Sequence, residues 1–164
     1  MAKTFYITTP IYYANAEPHV GSAYTTIAAD VLARWHKLLG EDTFFLTGTD
    51  EHGQKIQELA EKSGKKPKEF VDEVISKFKE AFSLLNISND FFIRTTDHFH
   101  EEEVKKVLQE LYDKKLIYKG NYEALYCVGC EQYLTKSDLI DGKCPLHKKE
   151  PEIQKEEAYM LKLS

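Results

Sequence analysis

The sequence predicts an α/β fold: part of a parallel sheet with its helices, followed by a small cysteine-rich insertion. Three observations carry this. Two short apolar and β-branched runs, Thr4 to Thr9 and Thr43 to Thr47, flank a stretch with helical periodicity. Strand, helix, strand at these lengths is a βαβ unit, hence a parallel pair. From about Gly120 onward cysteines, glycines and charges replace the helical periodicity, which marks an inserted module with its boundary near Leu116 to Gly120.

The elements follow in order. Thr4 to Thr9 ends at Pro10, as a buried strand leading into a loop does. Apolar residues then recur at Tyr24, Ile27, Ala28, Val31, Leu32, Trp35, Leu38 and Leu39, and Gly40 closes the segment. That spacing predicts an amphipathic helix with those side chains on its buried face. The second strand ends at Gly48. Pro67 suits the first turn of a helix that buries Phe70, Val71, Val74, Ile75, Phe78, Phe82 and Leu85. Phe91-Phe92-Ile93 reads as a short strand, and Thr96 or Asp97 can cap a helix burying Val104, Val107, Leu108 and Leu111. The expected division is 1–116 for the sheet domain, 117–155 for the insertion and 156–164 for the start of a return to the sheet.

Composition narrows the function classes. The 164 residues carry a net charge of −5, which argues against a general nucleic-acid-binding surface while leaving room for local contacts. No run of about 18 apolar residues exists, so no membrane span is expected. The opening Met1-Ala2-Lys3-Thr4-Phe5-Tyr6-Ile7 runs straight into a strand, and a cytoplasmic protein is the expectation.

Two loops and one module carry candidate chemistry. The run Thr9 to Ser22 joins a parallel strand to a helix amino terminus, where free N–H groups and the helix dipole favour an anion. His19 can donate to a phosphate oxygen as charge builds there, and Gly21, lacking a Cβ, lets a nucleotide approach. Asp50-Glu51-His52-Gly53 follows the second strand and so faces the same crevice. A carboxylate there can pair with an ammonium group; the other reading of Asp50 is a helix N-cap, and both can hold. His52 either touches a nucleotide or orients the loop. Cys127-Val128-Gly129-Cys130 and Cys144-Pro145-Leu146-His147, thirteen residues apart, give two knuckles that together supply a full tetrahedral set for zinc. Full coordination by protein leaves no open position, so the ion is expected to be structural, one per chain. His36, His98 and His100 lack partners at ligand spacing and read as surface residues. The segment from Lys148 to Glu157 reads as a solvated link.

Pro18-His19-Val20-Gly21-Ser22 resembles the HIGH signature of class I aminoacyl-tRNA synthetases. Phe5 to Ile56 as a whole resembles the methionine-specific branch, most tellingly in Thr8-Thr9-Pro10-Ile11-Tyr12-Tyr13-Ala14-Asn15 and Phe45-Leu46-Thr47-Gly48-Thr49-Asp50-Glu51-His52-Gly53. The likeness continues through the cysteine module and covers nearly the whole chain. One position departs. Ser22 stands where the signature ends in histidine; a serine can bond a phosphate oxygen but carries no positive charge.

The resemblance implies a Rossmann-like sheet with a zinc module on the connective insertion. It implies activation of methionine by ATP, with Mg2+, to methionyl-adenylate, and transfer to tRNA(Met). His19 and Ser22 would act on the phosphates, Gly21 would join them in ATP binding, and Ile11, Tyr13 and Asp50 would hold methionine. Core packing is the other reading of Ile11 and Tyr13. The chain contains no KMSKS-like loop, no second half of the nucleotide fold and no helical anticodon domain. The expectation is therefore a fragment or one partner of a split enzyme, inactive alone, with a second chain supplying the KMSKS half. Two other readings stand beside it: a class I synthetase for leucine, isoleucine, valine or cysteine, and a non-catalytic zinc-stabilised module that docks on a protein or tRNA.

Overall fold

A computed structural model describes residues 3–163, the side chains of residues 122 and 156 excepted. Met1, Ala2 and Ser164, at the ends of the predicted segments, lie outside the described residues. The chain separates into two compact units, one reaching Glu103 and one starting at Val104. This division falls earlier than the compositional boundary at 116/117, because the later turns of a helix group with the second unit.

The first unit is a parallel sheet. Strands β1 (Thr4–Thr8), β2 (Tyr12–Tyr13) and β4 (Phe91–Arg94) all pair in parallel with β3 (Asp42–Asp50). β1 and β2 are one interrupted strand. Thr9 N–H donates to Leu46 O and Ala14 N–H to Asp50 O, so five steps on one side match four on the other. The extra residue is a bulge, and it throws Ile11 outward. β3 does not stop at Gly48 as the sequence suggested. Gly48 and Thr49 pair with Ile93 and Arg94 of β4, which carries the strand on to Asp50.

Helices α1 (Val20–Leu38) and α3 (Pro67–Leu84) lie on one face of this sheet. Register partners share a face, so Ile7, Phe45, Phe92 and Tyr12 all point the same way. Ile7 and Phe45 pack with Ala29 and Ala33 of α1, while Tyr12 and Phe92 pack against Val71, Val74, Ile75, Phe78 and Phe82 of α3. Tyr12 bridges the two, its hydroxyl 2.7 Å from Thr26 Oγ1 and its ring stacked 5.7 Å from that of Phe78. A further helix, α2 (Gln54–Lys62), adds Ile56 and Ala60 to the core. On the opposite face Tyr6, Phe44 and Phe91 are exposed, so β1 is half-buried rather than buried.

Helix α1 is where the sequence pattern misled. Its buried residues are Ser22, Thr26, Ala29, Asp30 and Ala33, whereas Tyr24, Val31, Leu32, Trp35 and Leu38 are exposed. Small side chains let the helix lie close to the sheet, and its one buried charge is satisfied. Asp30 accepts from Ser88 N–H at 2.7 Å, Ser88 Oγ at 2.6 Å and Arg34 Nε at 2.6 Å. Burial pushes the Asp30 carboxyl up, but these bonds outweigh it and hold it below its ordinary value. His36 is likewise no bare surface residue: its ring stacks on Phe5 with centroids 3.4 Å apart, and Nδ1 lies 2.5 Å from Glu41.

In the second unit, α4 (His98–Asp113) contributes its later turns, and the residues expected to form a buried face are not buried. A three-stranded antiparallel sheet comes next, in the order β6 (Gln132–Leu134), β5 (Ile117–Cys127), β7 (Glu152–Leu161). β7 pairs with β5 along ten positions, from Ile117↔Leu161 to Tyr126↔Glu152. The predicted link at Lys148 to Glu157 and the predicted return from 156 are therefore both largely strand of this sheet. No helix among the described residues is long and apolar enough to cross a membrane.

Candidate active site and metal centre

Because the strands are parallel, the carboxyl ends of β1 and β3 lie at one edge of the sheet, and α1 starts there. His19 is the N-cap of α1, in extended backbone conformation. Gly21 N–H donates to His19 Nδ1 at 3.0 Å. An accepting Nδ1 carries no proton, so a neutral ring holds its proton on Nε2 and presents it outward as a donor. The geometry needs glycine at 21, since a Cβ there would stand 2.8 Å from His19 Cε1. Close approach does occur at Gly21, and the approaching group is the imidazole of His19.

Ser22 closes the cap from the other side. Its hydroxyl accepts from His19 N–H at 3.0 Å and gives its only proton to His19 O at 2.8 Å, and the residue is 4% exposed. With its proton given to the cap, Ser22 fixes the backbone of His19. Caps of this kind stabilise a helix by about 1 kcal/mol.

Asp50 is the last residue of β3 and pairs in register with Tyr13. It is not a helix N-cap; that place belongs to Gly53, which opens α2. The Tyr13 hydroxyl lies 2.6 Å from the position a Cβ on Gly53 would take, so Tyr13 spans the loop after Asp50. Ile11, on the bulge, is exposed on the same stretch. His19, Asp50, Tyr13 and Ile11 thus gather at one end of the sheet.

Reasoning from sequence missed Glu51 and Arg94. Glu51 is buried and accepts four bonds: from Thr49 Oγ1 (2.6 Å), Arg94 Nε (2.7 Å), Arg94 Nη2 (2.8 Å) and Thr96 Oγ1 (2.6 Å). Burial pushes its carboxyl up, but the bonds from Arg94, Thr49 and Thr96 outweigh that and hold it below the usual glutamate value. The available signal was weak: an arginine at the end of a strand parallel to the one that the acid follows.

In the second unit, Cys127 ends β5, Cys130 comes next in the knuckle, and Cys144 and His147 belong to the second knuckle. The four ligand atoms all lie within 4.8 Å of one another. Cys130 Sγ is 3.4 Å from Cys144 Sγ and 3.2 Å from His147 Nδ1, and Nδ1 is 3.8 Å from Cys127 Sγ and 3.9 Å from Cys144 Sγ. Tetrahedral zinc with ordinary bond lengths needs edges of roughly 3.5–3.8 Å, so the donor set fits. Gly129 makes room for it: a Cβ there would lie 2.6 Å from the His147 ring. Cys127 and Cys144 are buried and His147 faces outward. The neighbouring thiols push the Cys130 thiol up to about 12, first through its hydrogen bond with Cys144. The backbone bond at His147 brings Cys144 down to about 6. A cation held by this donor set would keep the three sulfurs as thiolates.

Residues 5–164 match the family model described as tRNA synthetases class I (M). The chain belongs to this family. The methionine--tRNA ligase of Clostridium tetani is 55% identical over 162 residues, covering 99% of this chain and 25% of that enzyme. The Thermotoga maritima ligase is 49% identical over 98% of this chain and 26% of its own length. Among solved structures, Mycobacterium tuberculosis methionyl-tRNA synthetase bound by methionyl-adenylate superposes with a TM-score of 0.90 at 38% identity, covering 99% of this chain and 33% of that one. The chain therefore spans about a quarter to a third of the length of these synthetases. A leucyl-tRNA synthetase complex, at 22% identity and a TM-score of 0.79, shares the fold. The parallel sheet with a Cys/His insertion is thus the class I synthetase fold expected from the sequence.

Proposed function

We propose that this chain carries one half of the active site of a methionine–tRNA ligase. That enzyme activates methionine with ATP and Mg2+ to methionyl-adenylate and passes the methionyl group to tRNA(Met). The observation that supports this best is the set His19, with Nε2–H free to donate, across the sheet edge from Asp50. In the reaction the methionine carboxylate attacks the α-phosphate of ATP. A carboxylate O–P bond forms, the bond from the α-phosphorus to the α,β-bridging oxygen breaks, and pyrophosphate leaves with the electron pair. No protein nucleophile is needed. Asp50 pairs with the methionine ammonium group, with Ile11 and Tyr13 beside the side chain, and His19 Nε2–H donates to phosphate oxygens as charge builds. Gly21 and Ser22 serve this step by holding the imidazole.

Cys127, Cys130, Cys144 and His147 would hold one zinc ion per chain, which organises the insertion and takes no part in the chemistry. The exposed Tyr6, Phe44 and α1 side chains support the reading that a complementary half, carrying the second phosphate loop, covers them. Alone, the chain is expected not to charge tRNA; robust aminoacylation by the isolated 164 residues would contradict this.

The test is a chimaera in which these residues replace the matching quarter of the Clostridium tetani enzyme. Methionine-dependent ATP–pyrophosphate exchange is expected, with about a 100-fold loss in His19→Ala, as for removal of one preorganised donor. Exchange driven by leucine or another amino acid, or an unaffected His19→Ala variant, would defeat the assignment.

A further inference from the structure

From the bonds around Glu51 we infer that the Glu51–Arg94 pair is a positioning clamp that sets Asp50 for the amino-acid substrate, without itself touching that substrate. The inference rests on the methionine-activation reading and extends it to residues outside the two signature loops.

Asp50 is held through its neighbours in the chain. On one side, Thr49 O accepts Thr95 N–H at 3.2 Å, and Thr49 Oγ1 donates to Glu51. On the other, Glu51 N–H donates to Thr95 Oγ1 at 2.9 Å. Asp50 itself is held by Ala14 N–H on its carbonyl at 2.9 Å. Its backbone is therefore fixed on both flanks, and the fixing partner is the turn after β4. Arg94 anchors that turn. Its Nε and Nη2 form a two-pronged bond to the Glu51 carboxylate, and Nη2 also reaches Asp72 Oδ1 of α3 at 2.6 Å. The Arg94 N–H donates to Asp97 Oδ2, closing the turn.

The Glu51 side chain is fully excluded from solvent, with every acceptor site directed at protein donors. Such a group has neither a free lone pair for a substrate ammonium nor a route for proton exchange. What it can do is transmit position. A side chain next in sequence to a substrate-binding carboxylate, locked by four bonds, limits the backbone of that carboxylate to one arrangement. His19 stands outside this network, on α1. Loosening the clamp should therefore weaken methionine binding and leave ATP binding nearly unchanged.

The experiment uses the Clostridium tetani chimaera, measuring exchange with each substrate varied in turn. Glu51→Gln keeps the shape and removes the charge; Arg94→Lys keeps the charge and removes the fork. Both are expected to raise the KM for methionine about tenfold, with the KM for ATP within about twofold, as misplacement of one binding group does. Asp72→Asn, at a half-exposed position, removes only the outer support and should raise the methionine KM about twofold to threefold. Equal shifts in both KM values, or no shift in the methionine KM, would overturn the clamp. If Glu51→Gln does not fold, Arg94→Lys and Asp72→Asn decide by the same split. A wild-type chimaera that exchanges with methionine while its variants show no split refutes the clamp alone. A wild-type chimaera without exchange refutes the underlying reading.

Discussion

In the sheet unit the buried apolar residues come from several elements: Phe45 of β3, Ile56 of α2, and Val71, Ile75, Phe78 and Phe82 of α3. In the second unit the buried residues, among those described, are Cys127 and Cys144. One part of the chain is held by hydrophobic burial spread over several elements; the other joins a long β5–β7 ladder to a candidate metal-donor set. The difference teaches where each part is vulnerable: the first to loss of volume, the second to loss of a ligand or its ion.

The strongest way to break this comparison is to remove the metal. Binding to such a four-ligand site is worth on the order of 10 kcal/mol and is coupled to folding. Chelation, or Cys144→Ser, is expected to abolish amide-exchange protection across β5 and β7 while residues of β1, β3 and α3 keep theirs. Elemental analysis of carefully purified chain should give about one zinc per chain, as the four ligands imply. Protection in β5 that survives complete zinc removal would show that the long β5–β7 ladder holds itself.

The converse substitution should be smaller and fall on the other side. Phe78 packs on Tyr12 and Phe82 at ring distances of 5.7 and 6.0 Å. Phe78→Ala is expected to destabilise the sheet unit by about 3–5 kcal/mol through lost burial and a residual cavity. Zinc content should be unchanged. Loss of zinc together with the α3 core would mean the two parts fold as one.

Acid sharpens the comparison by a smaller margin. Glu51 has a folded-state pKa below its ordinary value of 4.5, so its stabilisation is fully present above that value. It is lost as pH falls through the lower folded-state value. The thermal midpoint of the sheet unit should thus drop steeply below pH 4.5, and Glu51→Gln should start lower but flatten that drop. Parallel wild-type and variant curves would remove Glu51 as a source of acid sensitivity.

The smallest effect concerns how far the sequence was legible. The βαβ order, the α3 core face except Leu85, which caps the helix and is 41% exposed, and the clustering of Cys127, Cys130, Cys144 and His147 could be read directly, because periodicity and ligand spacing are local. The buried face of α1 could not. Its apolar residues have the spacing of a core stripe, yet the helix turns its small side, Ala29 and Ala33, to Phe45 and leaves Leu38 82% exposed. A helix with two usable faces is oriented by what it packs against, and periodicity alone reports only that a face exists. Glu51 and Arg94 escaped for the same reason, since forty-three positions separate them in the chain. The two faces of α1 therefore make opposite predictions for the isolated chain. Leu38→Gln should change stability by no more than about 0.5 kcal/mol. Ala33→Leu, which adds volume at a fully buried position, should cost about 1–3 kcal/mol. Denaturant midpoints compare them directly. If Leu38→Gln proved the costlier change, the helix would be packed by its apolar stripe after all, and the close seat of α1 on β3 that aims His19 at the sheet edge would have to be redrawn.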